Sequence, residues 1–377
     1  MARIFANTIP SVIEAPLLVL FLPQDQTSWC QQLSEEGYDV VHVEYPSPSA
    51  ESLQEDIRKA TQLLSGRNLA IITYGMLADS MAFASQLLEI PRLKACVHFC
   101  PLIENGEKLV PKNGDGEYIP GHNALEYFIP VSSYPPVAVY TYPLVPSLPP
   151  FPFVLGAPTL LAKGKVPSAD PYIRSANGLS YTRTLELLRR QLGPHFNLEK
   201  LWERHTFYEF GERDALKTMS TMVATPYVNH VPTMTGGVGY EDLARFYTYH
   251  FTKENVTPPD TELITVSRTV GADRIIDEMI FKCTHTTEID YFVPGVKPTG
   301  RPLEIALVGV IAFRGDKLTF EHIYWDQASV LVQLGLLDPT NLPVAGVEVA
   351  RKVVDPFGMP SNILMDKWKE SEGLPIN

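Results

Sequence analysis

The sequence predicts two domains, a doubly wound α/β sheet followed by a smaller α+β domain, and three observations carry that expectation. The chain has 377 residues, more than one ordinary core accommodates when domains cluster near ~100–200 residues. From Ala15 onward, short apolar runs alternate with helix-period segments, the rhythm of parallel strands buried on both faces and crossed by helices. After Pro194 the pattern changes to helices first and period-two strands afterwards.

In the first half the strand candidates are Pro16–Leu22, Asp39–Tyr45, Leu69–Tyr74, Ala95–Phe99 and Val137–Tyr142. Gln26–Glu36, Ala50–Leu64 and Met76–Glu89 carry helix-period apolar residues between them, and Ser47 or Ser49 can cap the second. The stretch Tyr127–Tyr172 is rich in proline and aromatics, which predicts an ordered but irregular insertion, either a lid or interface or a loop folded back on its own sheet. Thr182–Leu192 reads as the closing helix, so this domain runs over residues 1–195.

In the second half, Leu198–Phe210 is helical, Asp214 stands where it can cap Ala215–Met222, and Tyr227–His230 leads to the turn Thr235-Gly236-Gly237. A further helix, Tyr240–His250, precedes the strands Leu263–Thr269, Arg274–Thr286, Leu303–Arg314 and Leu318–Trp325. Helices followed by a curled antiparallel sheet imply an α+β cone over residues 196–340, closed by its helices. Residues 341–377 are proline-punctuated yet apolar, which predicts a strap lying back across the first domain or a second subunit.

A net charge of −12 repels phosphate backbones and anionic lipid, so nucleic acid is not an expected partner. The longest apolar run, Ala15 to Leu22, is far short of the ~20 residues that span a bilayer, and a cytoplasmic protein without membrane contact is expected. Cys30, Cys96, Cys100 and Cys283 show no paired C-x-x-C spacing and read as buried thiols, with no metal and no cofactor implied.

Order and spacing over roughly residues 14–195 resemble the dienelactone hydrolase branch of the α/β-hydrolases, with Leu69–Gly75 and the helix from Met76 matching the strand and turn that present the nucleophile. The resemblance implies a Ser or Cys in that turn, yet Ile71-Ile72-Thr73-Tyr74-Gly75-Met76-Leu77-Ala78-Asp79 contains neither. It also implies a histidine near Tyr142 and Pro143, and none occurs between His122 and His195. Without nucleophile and base the covalent route has no start. Ser80, one turn into the helix, is a substitute nucleophile only in the alternative reading as a lactone or ester hydrolase, and His98 reads as a core histidine.

Asn229-His230-Val231-Pro232, Thr284-His285-Thr286, Pro298-Thr299-Gly300-Arg301 and Trp325-Asp326 with Gln333-Leu334-Gly335 resemble the SnoaL-like polyketide cyclases of the nuclear-transport-factor-2-like superfamily. That resemblance implies a cone-shaped α+β barrel and a cofactor-independent cyclase, isomerase or dehydratase acting on a small apolar, polyketide-like carbonyl substrate of secondary metabolism. It implies a homodimer too, and a non-catalytic ligand-binding or dimerisation protein is the remaining alternative.

Strand alternation places His322, Tyr324 and Asp326 on one face, and if that face is concave they form an acid/base group in an apolar wall. Asp326 is then the proton shuttle, with His322 and His230 orienting it or holding an oxyanion and Tyr324 donating; the bland alternative has Asp326 capping the helix from Gln327. His285, His205, Tyr208 and Trp325 complete the expected substrate-binding set, core packing being the competing role for the first three, and Arg301 reads as a turn and rim residue.

Overall fold

The computed structural model describes residues 3–46, 55, 66–75, 92–100, 122–130, 138–143, 145 and 171–376. The expected helices Ala50–Leu64 and Met76–Glu89, the caps Ser47 and Ser49, Ser80, and most of the proline-rich stretch lie outside these residues. The chain divides into two compact units, Met1–Phe196 with Arg314–Asp316, and Asn197–Phe313 with Lys317–Asn377.

The first unit is built on a sheet ordered β1-β3-β2-β4-β5-β6-β7, from β1 (Arg3–Phe5), β2 (Leu17–Leu22), β3 (Asp39–Glu44), β4 (Leu69–Tyr74), β5 (Leu93–Phe99), β6 (His122–Pro130) and β7 (Ala138–Pro143). β2 is apolar at all six positions, all buried, because it pairs in parallel with β3 and β4. The expectation of a parallel sheet holds for β3, β2, β4 and β5; β1, β6 and β7 are antiparallel to their neighbours. Residues 131–137 are too few for a parallel crossover, so β6 and β7 must run in opposite directions. β7 falls on the expected strand Val137–Tyr142, while β6 was not expected and makes strand of the first residues of the expected irregular insertion, ending at Pro130, which cannot donate to a ladder.

Helices α1 (Ser28–Glu35) and α2 (Pro171–Leu192) flank this sheet, α2 beginning well before the expected Thr182. Trp29 of α1 meets Phe99 edge-on at 5.6 Å and Tyr181 at 5.1 Å in the core. Buried Glu36 accepts from Arg189 at 2.6 Å and from the Tyr181 hydroxyl at 2.9 Å, so its charge is paired. All four cysteines are buried and unbridged, as expected.

The second unit contains α3 (Leu198–Thr206), α4 (Ala215–Ser220), α5 (Tyr240–Phe246), α6 (Gln327–Gln333), α7 (Glu348–Val354) and a 3₁₀ turn at Asp366–Ser371. Asn197 and Asp214 cap α3 and α4, accepting from Lys200 N and Lys217 N, each at 3.0 Å. α3 and α5 each continue into a π turn, Phe207–Gly211 and Tyr247–Phe251. The sheet order is β10-β11-β12-β13-β8-β9, with β8 (Met222–His230), β9 (Thr235–Val238), β10 (Glu262–Val270), β11 (Arg274–Thr284), β12 (Pro302–Arg314) and β13 (Lys317–Trp325). It is mixed rather than antiparallel throughout, since β8 runs parallel to β13. The segment expected as a turn at Thr235-Gly236-Gly237 is strand β9, held so tightly to β8 that a Cβ on Gly236, at φ +128°, would lie 2.1 Å from Val228 O. No helix among the described residues is long and apolar enough to cross a membrane.

Candidate active site

α3 carries a buried stripe of Leu198, Trp202 and His205, spaced three and four apart, and lies against β11 and β13. One turn beyond His205, in the π turn, Glu209 falls on the same side. On β13 the alternation buries Thr319, Glu321, Ile323 and Trp325 and leaves Phe320 and His322 half-buried and Tyr324 exposed. The two elements therefore bring one imidazole and two carboxylates together in the interior.

His205 Nε2 lies 2.9 Å from Glu321 Oε1 and 3.2 Å from Glu209 Oε1, and the Tyr247 hydroxyl stands 3.4 Å from the same nitrogen and 3.5 Å from Glu321. Exposure of these four side chains is 5% or less. The ring's protonation is fixed from behind: the Thr221 hydroxyl donates its proton to Thr218 O at 2.7 Å, so at 2.6 Å from His205 Nδ1 it accepts. Nδ1 is protonated, and Nε2 faces the carboxylates.

Burial pulls His205 toward its neutral form, but the charges of Glu209 and Glu321 and their hydrogen bonds outweigh it and push the pKa up to about 10. Glu321 is raised by burial and by Glu209, against the lowering pull of His205. Tyr247 is raised by burial and by the same carboxylates, so it remains a neutral phenol and a donor. At neutral pH the cluster holds an imidazolium, and Glu321 beside it keeps a proton more readily than an ordinary carboxylate.

A sign follows for stability. A pKa raised on folding stabilises fully below the unfolded value of 6.5, and that contribution disappears as the pH climbs to about 10. Glu321 acts in the same direction from its own ordinary value upward. The thermal midpoint should fall between pH 6.5 and pH 10, and His205→Gln should flatten the fall; identical profiles for the two proteins would refute the assignment.

The cluster opens on a cavity of about 40 Å³ lined by Glu209, His230, Tyr247, Phe251, Phe281, Tyr291, Glu321 and Ile323 among others. At roughly 15 Å³ per water it holds two or three waters, or the reacting end of a small molecule. A basin of about 620 Å³ adjoins it, sharing Trp202, Thr206, Phe210, Leu263 and Met279. Between them Asp277, fully buried, accepts from Arg268 Nε at 2.6 Å, Arg268 Nη2 at 2.7 Å and Trp202 Nε1 at 2.8 Å, and Trp202 stacks on His205 at 5.6 Å.

The expected residues are distributed otherwise than alternation suggested. His322, Tyr324 and Asp326 do not face the cavity: His322 packs on Phe320 and Tyr227 of the opposite face, at 4.9 and 5.4 Å, and Tyr324 is 43% exposed. Asp326 is exposed and caps α6, accepting from Ala328 N at 3.0 Å. The inward set is the odd-numbered one, where apolar Ile323 and Trp325 fill the interior. Asp326→Ala should accordingly cost about 1 kcal/mol of stability and leave catalysis intact; a collapse of turnover in a folded variant would contradict this placement.

His230 does line the cavity and His205 belongs to the cluster itself. Trp325 is buried, 4.6 Å from Phe292 and 6.0 Å from His230, and acts as a backing wall. Tyr208 sits beside Lys217, away from the cavity. His285 is buried outside the cavity, where its Nδ1 accepts from Thr299 N at 3.3 Å and so ties down the loop leading into β12.

Alternation along β13 and the His205-x-x-x-Glu209 spacing on a helix would have indicated Glu321 and Glu209; nothing local in the sequence marks Tyr247. Among the described residues, His205, Glu209 and Glu321 form the one group whose donor atoms, within 4.8 Å of one another, could share a metal ion. Their mutual hydrogen bonds satisfy the same charges with protons.

In the first unit, Gly75 follows β4 at φ +57°, the left-handed turn that an exposed nucleophile requires, and carries no side chain. His98 is buried, hydrogen-bonded to Thr73 at 2.8 Å and lowered by burial to a pKa of about 4, a core histidine as expected.

The second unit is thus a mixed helix-and-sheet fold enclosing a buried carboxylate–imidazole cluster. Residues 203–334 match the SnoaL-like polyketide cyclase family. Similar solved structures include a protein with a ketosteroid isomerase-like fold from Catenulispora acidiphila in complex with trimethylamine, 13% identical, covering 37% of this chain and 94% of that one with a TM-score of 0.29. TsrD from Streptomyces laurentii is 16% identical, covering 37% and 96% with a TM-score of 0.29. An NTF2-like protein of unknown function from Burkholderia pseudomallei is 15% identical, covering 37% and 98% with a TM-score of 0.28. With TM-scores this low, none of these likenesses carries a functional conclusion. No curated protein matches the chain.

Proposed function

We propose that the second unit is a cyclase or isomerase that moves protons on a small apolar carbonyl compound, with Glu321 as the base. The carrying observation is Glu321, raised by burial, which with Glu209 lines a largely aromatic cavity and pairs with the His205 imidazolium. The match of residues 203–334 to polyketide cyclases supports the reaction class.

Glu321 takes a proton from the carbon beside the substrate carbonyl and becomes a carboxylic acid, and the electron pair moves to the carbonyl oxygen. Tyr247, kept neutral by burial, donates to the developing enolate, and His205 holds the negative charge of the carboxylates in place. Return of the proton to another carbon isomerises the substrate, and attack of the enolate carbon on a second carbonyl cyclises it, the π electrons of that carbonyl passing to its oxygen, which takes the proton back from Glu321. Both outcomes are balanced by the side chains present.

The test is α-proton exchange. Incubated with 2-tetralone in D₂O, the wild-type protein should accelerate deuterium incorporation beside the carbonyl, followed by proton NMR, above the buffer rate. No acceleration with any enolisable ketone tried, or acceleration that required an added divalent cation, would overturn the reading.

A further inference from the structure

We infer that the His205, Glu209 and Glu321 cluster is also a binding site for a divalent ion of the zinc class, which takes the place of the protons there and so stops the proton transfer. That consequence rests on the reaction proposed above; the binding does not.

The donor set is of the right kind and number. One imidazole nitrogen and two carboxylate oxygens lie within 4.8 Å of one another. Nitrogen and oxygen donors from three side chains are what zinc takes where a fourth position stays open to water. His205 and Glu209 stand four residues apart on successive turns and Glu321 comes from β13, so a helix and a strand present the three from different directions. Two ligands on a tetrahedral zinc lie about 3.4 Å apart. Nε2 of His205 already lies 2.9 Å from Glu321 and 3.2 Å from Glu209, so putting an ion in place of a proton asks for only small movements.

The imidazole is held as a ligand has to be. A ring that binds metal through one nitrogen gives its other N–H to an acceptor, which fixes its orientation. Here that acceptor is the Thr221 hydroxyl, outside the cluster, 2.6 Å from Nδ1 and itself committed to Thr218 O at 2.7 Å. Nε2 is the nitrogen turned to the carboxylates, and on binding it gives up its proton to solvent. A doubly charged ion with two carboxylates and a neutral ring has no net charge, so the interior accepts it without an unpaired ion. A fourth ligand has room as well, because Glu209 and Glu321 both line the water-sized cavity. Calcium and magnesium fit poorly: they ask for six or more oxygen ligands, and the rest of that wall is largely aromatic and aliphatic.

Zinc itself is the probe, on the full-length protein. Competition with a chromophoric chelator should reveal a single zinc per chain. Thr221→Val should weaken its binding about 10-fold, and Glu209→Gln and Glu321→Gln about 100-fold each. His250→Gln, which breaks the exposed His250–Asp290 pair, should leave the affinity unchanged. Cobalt in place of zinc should give visible absorption without a thiolate charge-transfer band, since the four cysteines take no part. In the wild type the ¹⁵N resonance of His205 Nε2 should move on adding zinc, a reading that needs no variant to fold. The zinc-saturated protein should exchange 2-tetralone no faster than buffer containing the same zinc.

No zinc bound at millimolar concentration, affinity lost in His250→Gln and kept in Glu321→Gln, a thiolate band, an unmoved Nε2 resonance, or exchange that persists at zinc saturation would each overturn the inference. The two readings fail separately. If the protein exchanges nothing without zinc, the reaction falls while the titration and the resonance still decide the site; if those two fail, the site falls and the reaction stands.

Discussion

Glu321→Gln is expected to lower the rate of deuterium exchange into 2-tetralone by about 10²- to 10⁴-fold while leaving the fold intact. The amide matches the carboxylate in size and still accepts from His205, so the packing of β13 survives; what it lacks is a basic oxygen. Glu321 is singled out over Glu209, its partner across the imidazole, because Glu321 projects from the sheet that walls the cavity. A residual rate within threefold of wild type would show that the proton goes elsewhere. His205→Gln provides the complementary measurement: with the imidazolium gone, Glu321 titrates higher, and the pH–rate profile should shift toward alkaline values.

Asp277→Ala is expected to cost about 3–5 kcal/mol of stability in denaturant titration. That carboxylate is fully buried and accepts three hydrogen bonds, two from Arg268 and one from the Trp202 indole. Removing it strands a guanidinium that is only 17% exposed and leaves the indole N–H unpaired. The loss should also be visible at the cluster, because Trp202 stacks on His205 with the two rings inclined by only 18°. Replacement by Asn, which can still accept from one donor, should cost less. A loss below 1 kcal/mol for the Ala variant would show that Arg268 finds another partner among Glu199 and Glu203, each 3.5 Å from it.

Much of the architecture was legible because it follows from local rules. The uninterrupted apolar run of β2 announced a strand buried on both faces, and Asp214 announced a helix start. The direction of β6 and β7 was not legible, since it depends on how few residues separate them rather than on their composition.

The site was legible in its location and not in its membership. Periodicity says that two faces of β13 differ but not which one turns inward, and the even-numbered face, richer in polar groups, was the wrong guide. The inward face announces itself instead by a lone carboxylate among large apolar side chains. Glu209 stands at ordinary helical spacing from His205, whereas Tyr247 comes from another helix, and no spacing along the chain ties it to His205.

The two π turns bear on how such a cavity diversifies. A single-codon deletion in Phe207–Gly211 or Tyr247–Phe251 restores an ordinary α-helical turn and swings the side chains that follow it within that last turn by about 100°. Glu209 or Phe251, both on the cavity, would then give way to a neighbour with different chemistry while the sheet behind stayed unchanged. Homologous chains aligned to this one should accordingly be compared first for one-residue gaps at these two places, because such a gap changes the reactive groups more than many substitutions along the strands.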